Sequence, residues 1–240
     1  MRQLLPLLSA SLCLASCLEL EQRVVVRPDG SGTQTLRLVA GPEVLGALRQ
    51  LAPGAQAGDP SRLFQEPAVR REVEALGLRL VRHQSRNRDD GRRSLDLEVA
   101  FDSFDGLRKS PLTGGAATWE LGPGPTPGTQ TLVCYPRGKA AHEAAADRAK
   151  ALAVPDEREL GFFARRKEQL RGLRVSFELE VPGEVRAVSA NLAKSGARAA
   201  RCVVTEAEVK SPQDLVLLLA PRFEVVFATP PADAAARSGG

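Results

Sequence analysis

LEQRVVVRPDGSGTQTLRLVA, residues 20–40, is the stretch whose reading decides the fold class. Leu20, Val24 and Val26 alternate with Glu21, Arg23, Val25 and Arg27, and a period of two puts one set of side chains on each face of a strand. Pro28-Asp29-Gly30-Ser31-Gly32 then supplies turn chemistry, because proline and glycine each favour backbone angles that a strand does not use. Leu36, Leu38 and Ala40 resume the alternation against Thr35, Arg37 and Val39. Strand, turn, strand follows, and the pair reads as a hairpin with one wet face.

The same grammar recurs outward from that hairpin. Leu78 to Gln84 and the alternating Leu95, Leu97, Val99 and Phe101 flank a charged loop, Arg86 to Arg93, with Asp89-Asp90-Gly91 at its tip. Residues 117–121 and 129–135 flank the Gly122 to Gly128 loop, whose prolines and glycines exclude both helix and central strand, and Trp119 is expected in the core there. Leu173, Val175, Phe177, Leu179 and Val181 alternate with charged or small residues until Pro182-Gly183 turns the chain. Further strands are read at 185–190, 197–205 and 214–227.

Helical spacing is confined to three places. Val44, Leu45, Leu48 and Leu51 follow Pro42 and stop at Pro53-Gly54; Val69, Val73 and Leu76 follow Pro60 or Pro67 and stop at Gly77. Lys139 to Leu170 is helical in two pieces broken at Pro155. Its second piece carries an apolar stripe of Leu160, Phe163, Ala164 and Leu170, with Arg165, Arg166 and Lys167 beside it. That basic triplet reads either as a solvated helix face or as a contact for anionic lipid headgroups. The pattern as a whole predicts an α+β fold: antiparallel β-hairpins forming a sheet or sandwich, with helices packed on one face. Residues 17–228 form the globular part, with a subdivision near 137–171 as an alternative, and the small-residue stretch 229–240 reads as a disordered tail.

Charge excludes little but points away from nucleic acid. A formal charge of +4 and a pI of about 9.1 are a mild basic excess, and arginines without aromatic interleaving are the solvated surface of an ordinary domain. No nucleic-acid partner is expected.

The N-terminus is more informative. Leu14-Ala15-Ser16-Cys17 closes an apolar run, Leu4 to Leu14, that follows Arg2, and it resembles the lipobox of bacterial lipoproteins. At about 1.5 Å per residue the run covers roughly 15 to 20 Å, short of the ~30 Å hydrocarbon core, so it reads as a cleaved signal over residues 1–16. The resemblance implies a diacylglycerol on the Cys17 thiol and an acylated amine. Two or three acyl chains make such an anchor effectively permanent, where one is marginal. Leu18, in place of aspartate at the next position, is similar to cargo sorted to the outer membrane, which places the ectodomain on the inner leaflet facing the periplasm.

Of the four cysteines, Cys13 leaves with the signal and Cys17 takes lipid. Cys134 and Cys202 remain, in a compartment where disulfides persist. They read as a candidate disulfide, with two separately buried thiols as the alternative.

Two further stretches carry a second resemblance. The early strand pair around Asp29-Gly30-Ser31-Gly32 after a lipidated cysteine, and the late Phe177-Glu178-Leu179-Glu180-Val181-Pro182-Gly183-Glu184-Val185 followed by Asn191, are similar to the LppM-type group of bacterial lipoproteins. That resemblance implies an antiparallel α+β ectodomain and a link to envelope lipid or glycolipid. Some members of the group end in a membrane span; here Leu215 to Ala228 is interrupted by Pro221, Arg222 and Glu224 and is too short to cross.

Catalytic constellations are poor. His83 and His142 stand far apart, and His142-Glu143 lacks the second histidine four residues on that a zinc helix needs. Asp102 and Asp105-Gly106 lack the repeated oxygen ligands of a calcium loop, and neither Gly-x-Ser-x-Gly nor Ser-x-x-Lys occurs. The chain is expected to be no enzyme and to need no cofactor or metal. Three functions are weighed: an anchored, non-catalytic lipoprotein binding an envelope protein or polymer; a lipid-binding or lipid-transfer module; and a hydrolase with an unrecognised site. A wide apolar cavity between sheet and helices favours the second, and clustered Asp, Glu or His with shifted pKa values favours the third.

Overall fold

A computed structural model describes residues 18–42, 60–113, 117–168 and 170–231. The signal segment 1–16, Cys17, the helix read over Val44 to Leu51 and residues 232–240 lie outside the described residues.

The opening hairpin is the centre of the molecule. β1 (Leu18–Val26) and β2 (Gly32–Ala40) pair antiparallel from Leu18 opposite Ala40 to Val26 opposite Gly32. Asp29 shapes their turn: its Oδ1 accepts from the Ser31 amide at 2.9 Å and the Ser31 hydroxyl at 2.7 Å, and Gly30 takes φ +82°, which only glycine adopts freely. Helix α1 (Glu66–Ala75) buries Val69 and Val73 and ends at Gly77, φ +73°. The second hairpin, β3 (Arg79–Asn87) with β4 (Arg93–Phe101), joins the first through β4 against β2.

After the short helix α2 (Phe104–Lys109), β5 (Thr118–Pro123) and β6 (Thr129–Tyr135) make the third hairpin. Trp119 is 2 % exposed on β5. Helices α3 (Lys139–Ala151) and α4 (Glu157–Glu168) follow, then β7 (Arg174–Glu180), β8 (Val185–Val188), β9 (Ala193–Gly196), β10 (Ala199–Thr205), α5 (Pro212–Leu219) and β11 (Phe223–Ala228). Two sheets result, one ordered β3-β4-β2-β1-β7-β10-β9 and one ordered β5-β6-β11-β8. The fold is α+β, and among the described residues its pairing is antiparallel with one exception. β1 and β7 run parallel, Glu19 opposite Arg174 through Val25 opposite Glu180. A parallel neighbour needs a long crossover, and the α3–α4 segment, immediately before β7, brings the chain back to the end where β1 begins.

The face of the large sheet that looks inward carries Val24, Leu36, Leu97 and Leu179, each buried. Gln22 and Gln34 sit on that same face although both are polar. The Gln22 amide donates to the Leu112 carbonyl at 3.1 Å, and Ser110 donates to the Gln34 side-chain oxygen. The outward face is an ion-pair lattice: Arg23 to Glu178 and Glu180 at 3.3 and 2.8 Å, Arg82 to Asp96 and Glu98 at 3.0 and 3.1 Å, and Arg37 between Glu21 and Asp96.

Three expectations are corrected. Residues 214–227 are not strand throughout: Ser211 accepts from the Asp214 amide at 3.1 Å as an N-cap and Pro212 takes the first turn, so the leucine run winds into α5 before β11 starts. The α4 stripe is not buried as a unit: Phe163 packs on the core and Leu170 is fully buried beyond the helix, while Leu160 and Ala164 are exposed. The disulfide between Cys134 and Cys202 is absent and both are free thiols. Cys134 lies opposite Phe223 in the small sheet and Cys202 opposite Phe177 in the large one. The stacked rings of those two phenylalanines fill the space where the sheets meet.

Candidate functional site: an apolar cleft beside the start of β1

An apolar cleft of about 260 Å³ lies between the large sheet and α5, lined chiefly by Leu20, Val175, Val204, Leu217, Leu218 and Phe223. Its floor comes from three adjacent strands. The parallel register sets Leu20 opposite Val175, and the antiparallel register sets Val175 opposite Val204, so three apolar side chains stand in a row across β1, β7 and β10. α5 forms the wall with Leu217 and Leu218. Phe177 and Phe223 stack at the back with ring centroids 4.4 Å apart.

Polar groups also line the cleft, and each is hydrogen-bonded. Asp214 accepts from the Lys210 amide at 2.9 Å, and Asn191 donates to the Arg222 carbonyl at 3.0 Å. Glu208 accepts from the Thr205 amide at 2.6 Å and from its hydroxyl, and the hydroxyl bond, foremost, holds its carboxyl below the usual glutamate value. Cys202 also lines the cleft; burial pushes its thiol up, and the Glu208 charge pushes it further. Cys134 is deeper, and burial alone raises its thiol well above the ordinary value. Neither thiol is set up as a nucleophile, which would need a lowered pKa and a neighbouring base.

His83 Nε2 lies 2.7 Å from the Leu63 carbonyl, and His142 Nδ1 lies 2.9 Å from the Ala220 carbonyl. Asp105 pairs with Arg108 at 2.9 Å and Asp102 is exposed. Among the described residues no group of three or more His, Cys, Asp or Glu could hold a metal ion. The shifted carboxyls do not gather. Arg70 lowers Glu66 and burial raises Glu72, six residues apart on α1, while Arg92 lowers Asp90 in the β3–β4 loop.

No family model and no curated protein matches this chain. Among solved structures, it is similar to the NMR structure of the folded domain of LppM from Mycobacterium tuberculosis, with 10% sequence identity over 92% of this chain and 95% of that one, at a TM-score of 0.43. No residue role is carried over from it. Periodicity along the sequence misses the cleft because its walls come from β1, β7, β10 and α5, and the leucine run of α5 reads as strand. The period-two row of Leu20, Val175 and Val204 is legible strand by strand, but not that the three strands are neighbours. Among the described residues no helix is long and apolar enough to cross a membrane.

Proposed function

We propose that this chain is a lipid-anchored, non-catalytic lipoprotein of the bacterial cell envelope, whose ectodomain binds another envelope component from the periplasmic side of the outer membrane. The observation that carries the reading is the join between anchor and fold. The tetrapeptide Leu14-Ala15-Ser16-Cys17 is followed without a spacer by β1, whose first residue, Leu18, is buried. An acylated Cys17 therefore holds the central strand of the large sheet at the bilayer. The non-catalytic part is supported by histidines engaged with backbone carbonyls and by thiols whose pKa values are raised. Labelled fatty acid tests the anchor: the wild-type chain incorporates it and Cys17→Ala does not, while undiminished labelling of the variant overturns the reading.

A second reading is favoured by the cleft, which suits an apolar chain such as the acyl tail of an envelope lipid. Its volume is a little below the ~300 to 1,000 Å³ of common ligand pockets, enough for part of such a chain. A fluorescent fatty acid should bind the wild-type protein and lose affinity for Leu218→Asp. Equal binding to both disposes of the cleft as a lipid site.

A further inference from the structure

Helix α4 buries none of its side chains completely, and one aromatic ring stands out on it: Phe162, 49 % exposed. Helical spacing places Arg158, Arg165 and Arg166 on the same face, four residues before it and three and four after. The Arg166 guanidinium lies 5.1 Å from the Phe162 ring centroid. An exposed aromatic bracketed by arginines is the side-chain set of a helix lying in a membrane interface, where the ring enters the acyl boundary and the guanidinium groups meet phosphate.

Position decides between that role and an ordinary solvated helix. Past Glu168, the Leu170 amide donates to the Lys167 carbonyl and the Leu173 amide to the Leu170 carbonyl, each at 2.9 Å, so the chain turns tightly into β7. Arg174, the first residue of β7, is in parallel register with Glu19, two residues after Cys17. The basic end of α4 is thus carried to the end of the sheet where the anchor attaches. Residues 165–174 hold five basic side chains and one acid, and that acid, Glu168, is paired with Arg171. Glu159, the other acid beside Phe162, is held by Arg148 of α3 at 2.7 Å. Exposed Leu217 and Leu219 lie on α5, the helix packed against α4.

We infer that the Phe162 face of α4 docks on the anionic phospholipid surface of the membrane that holds Cys17. The inference rests on the proposed anchor and adds a second, reversible contact that fixes how the ectodomain sits on the bilayer. Each basic residue near an anionic surface strengthens association about fivefold, so Arg158 and Arg165 together supply an effect of about thirtyfold.

The test uses the full-length acylated protein in vesicles, with Phe162→Trp as reporter over the buried Trp119. In phosphatidylethanolamine–phosphatidylglycerol vesicles the added emission should shift to the blue and be quenched by brominated acyl chains. In phosphatidylcholine vesicles, or with Arg158→Glu and Arg165→Glu, both signals should fall severalfold. Water-like emission from protein that still floats with the vesicles overturns the docking and leaves the anchor standing. Equal quenching in both lipids overturns the role of the arginines. A Phe162→Trp reporter shielded in native envelope by a crosslinked protein, with no quenching by lipid, overturns the membrane as partner. Protein that does not float and carries no acyl mass at Cys17 overturns the anchor on which the inference rests.

Discussion

Phe177 of β7 and Phe223 of β11 stack with their centroids 4.4 Å apart and their planes 9° apart, one ring from each sheet. Trp119 of β5 stands 6.5 Å from Phe177, so the contact between the sheets is an aromatic cluster, of which Phe177 and Phe223 line the apolar cleft. Aromatic rings contribute through buried area and through offset stacking, and both are lost on truncation. Phe223→Ala should therefore cost about 3 to 5 kcal/mol in urea unfolding, with Phe223→Leu well below that. A loss under about 1 kcal/mol for the alanine variant would show that the sheets do not depend on this stack.

Gly32 makes a second sharp prediction. It lies between Val26 of β1 and Phe101 of β4, and the Phe101 ring lies over it, with ring carbons 2.5 and 2.8 Å from where a Cβ would be. The same Cβ would collide with the Val25 carbonyl oxygen, which is backbone and cannot swing aside. Gly32→Ala should destabilise by about 3 kcal/mol. Gly122→Ala, where a Cβ meets nothing, should cost far less. Equal stability of the two variants would refute the packing described for Phe101.

What is legible in the sequence and what is not divides by distance along the chain. The three hairpins are readable because alternation and turn chemistry are local: Leu36, Leu95 and Trp119 are buried where the period of two puts them. The β1–β7 pairing is not, since nothing near Glu19 names Arg174 as its neighbour and the crossover that makes the pair parallel is a property of the whole chain. Leu215 to Leu219 are ambiguous on periodicity, and the Ser211–Pro212 cap settles them as helix. Gln22 and Gln34 break the apolar pattern and are buried nonetheless, because Leu112 and Ser110 come across from the segment after α2 to meet them.

The lip of the cleft should respond to pH through Glu208. Its carboxyl closes a capping box with Thr205, and that bonding keeps its folded pKa below the unfolded value. A depressed carboxyl contributes stability that is present above the unfolded value and is lost as pH falls through the folded one. NMR of the glutamate carboxyl carbons should find Glu208 titrating below the ordinary glutamate range, and Thr205→Val should move it back up. A wild-type Glu208 titrating in or above that range contradicts the box.

Thiol chemistry separates the two cysteines of the ectodomain. Burial raises both thiols, Cys134 as a fully buried side chain and Cys202 as a half-buried one beside Glu208, so neither carries much thiolate near neutral pH. Native protein treated with an alkylating reagent should label Cys202 slowly and Cys134 only after unfolding. Glu208→Gln removes the lesser of the two causes acting on Cys202, so it should quicken that labelling modestly and leave Cys134 unchanged. Peptides from unreduced protein should show both residues as free thiols, because the Phe177–Phe223 stack fills the gap that a bridge would have to close. Recovery of a peptide crosslinked through Cys134 and Cys202 would mean that the sheets approach more closely there than the stacked rings allow.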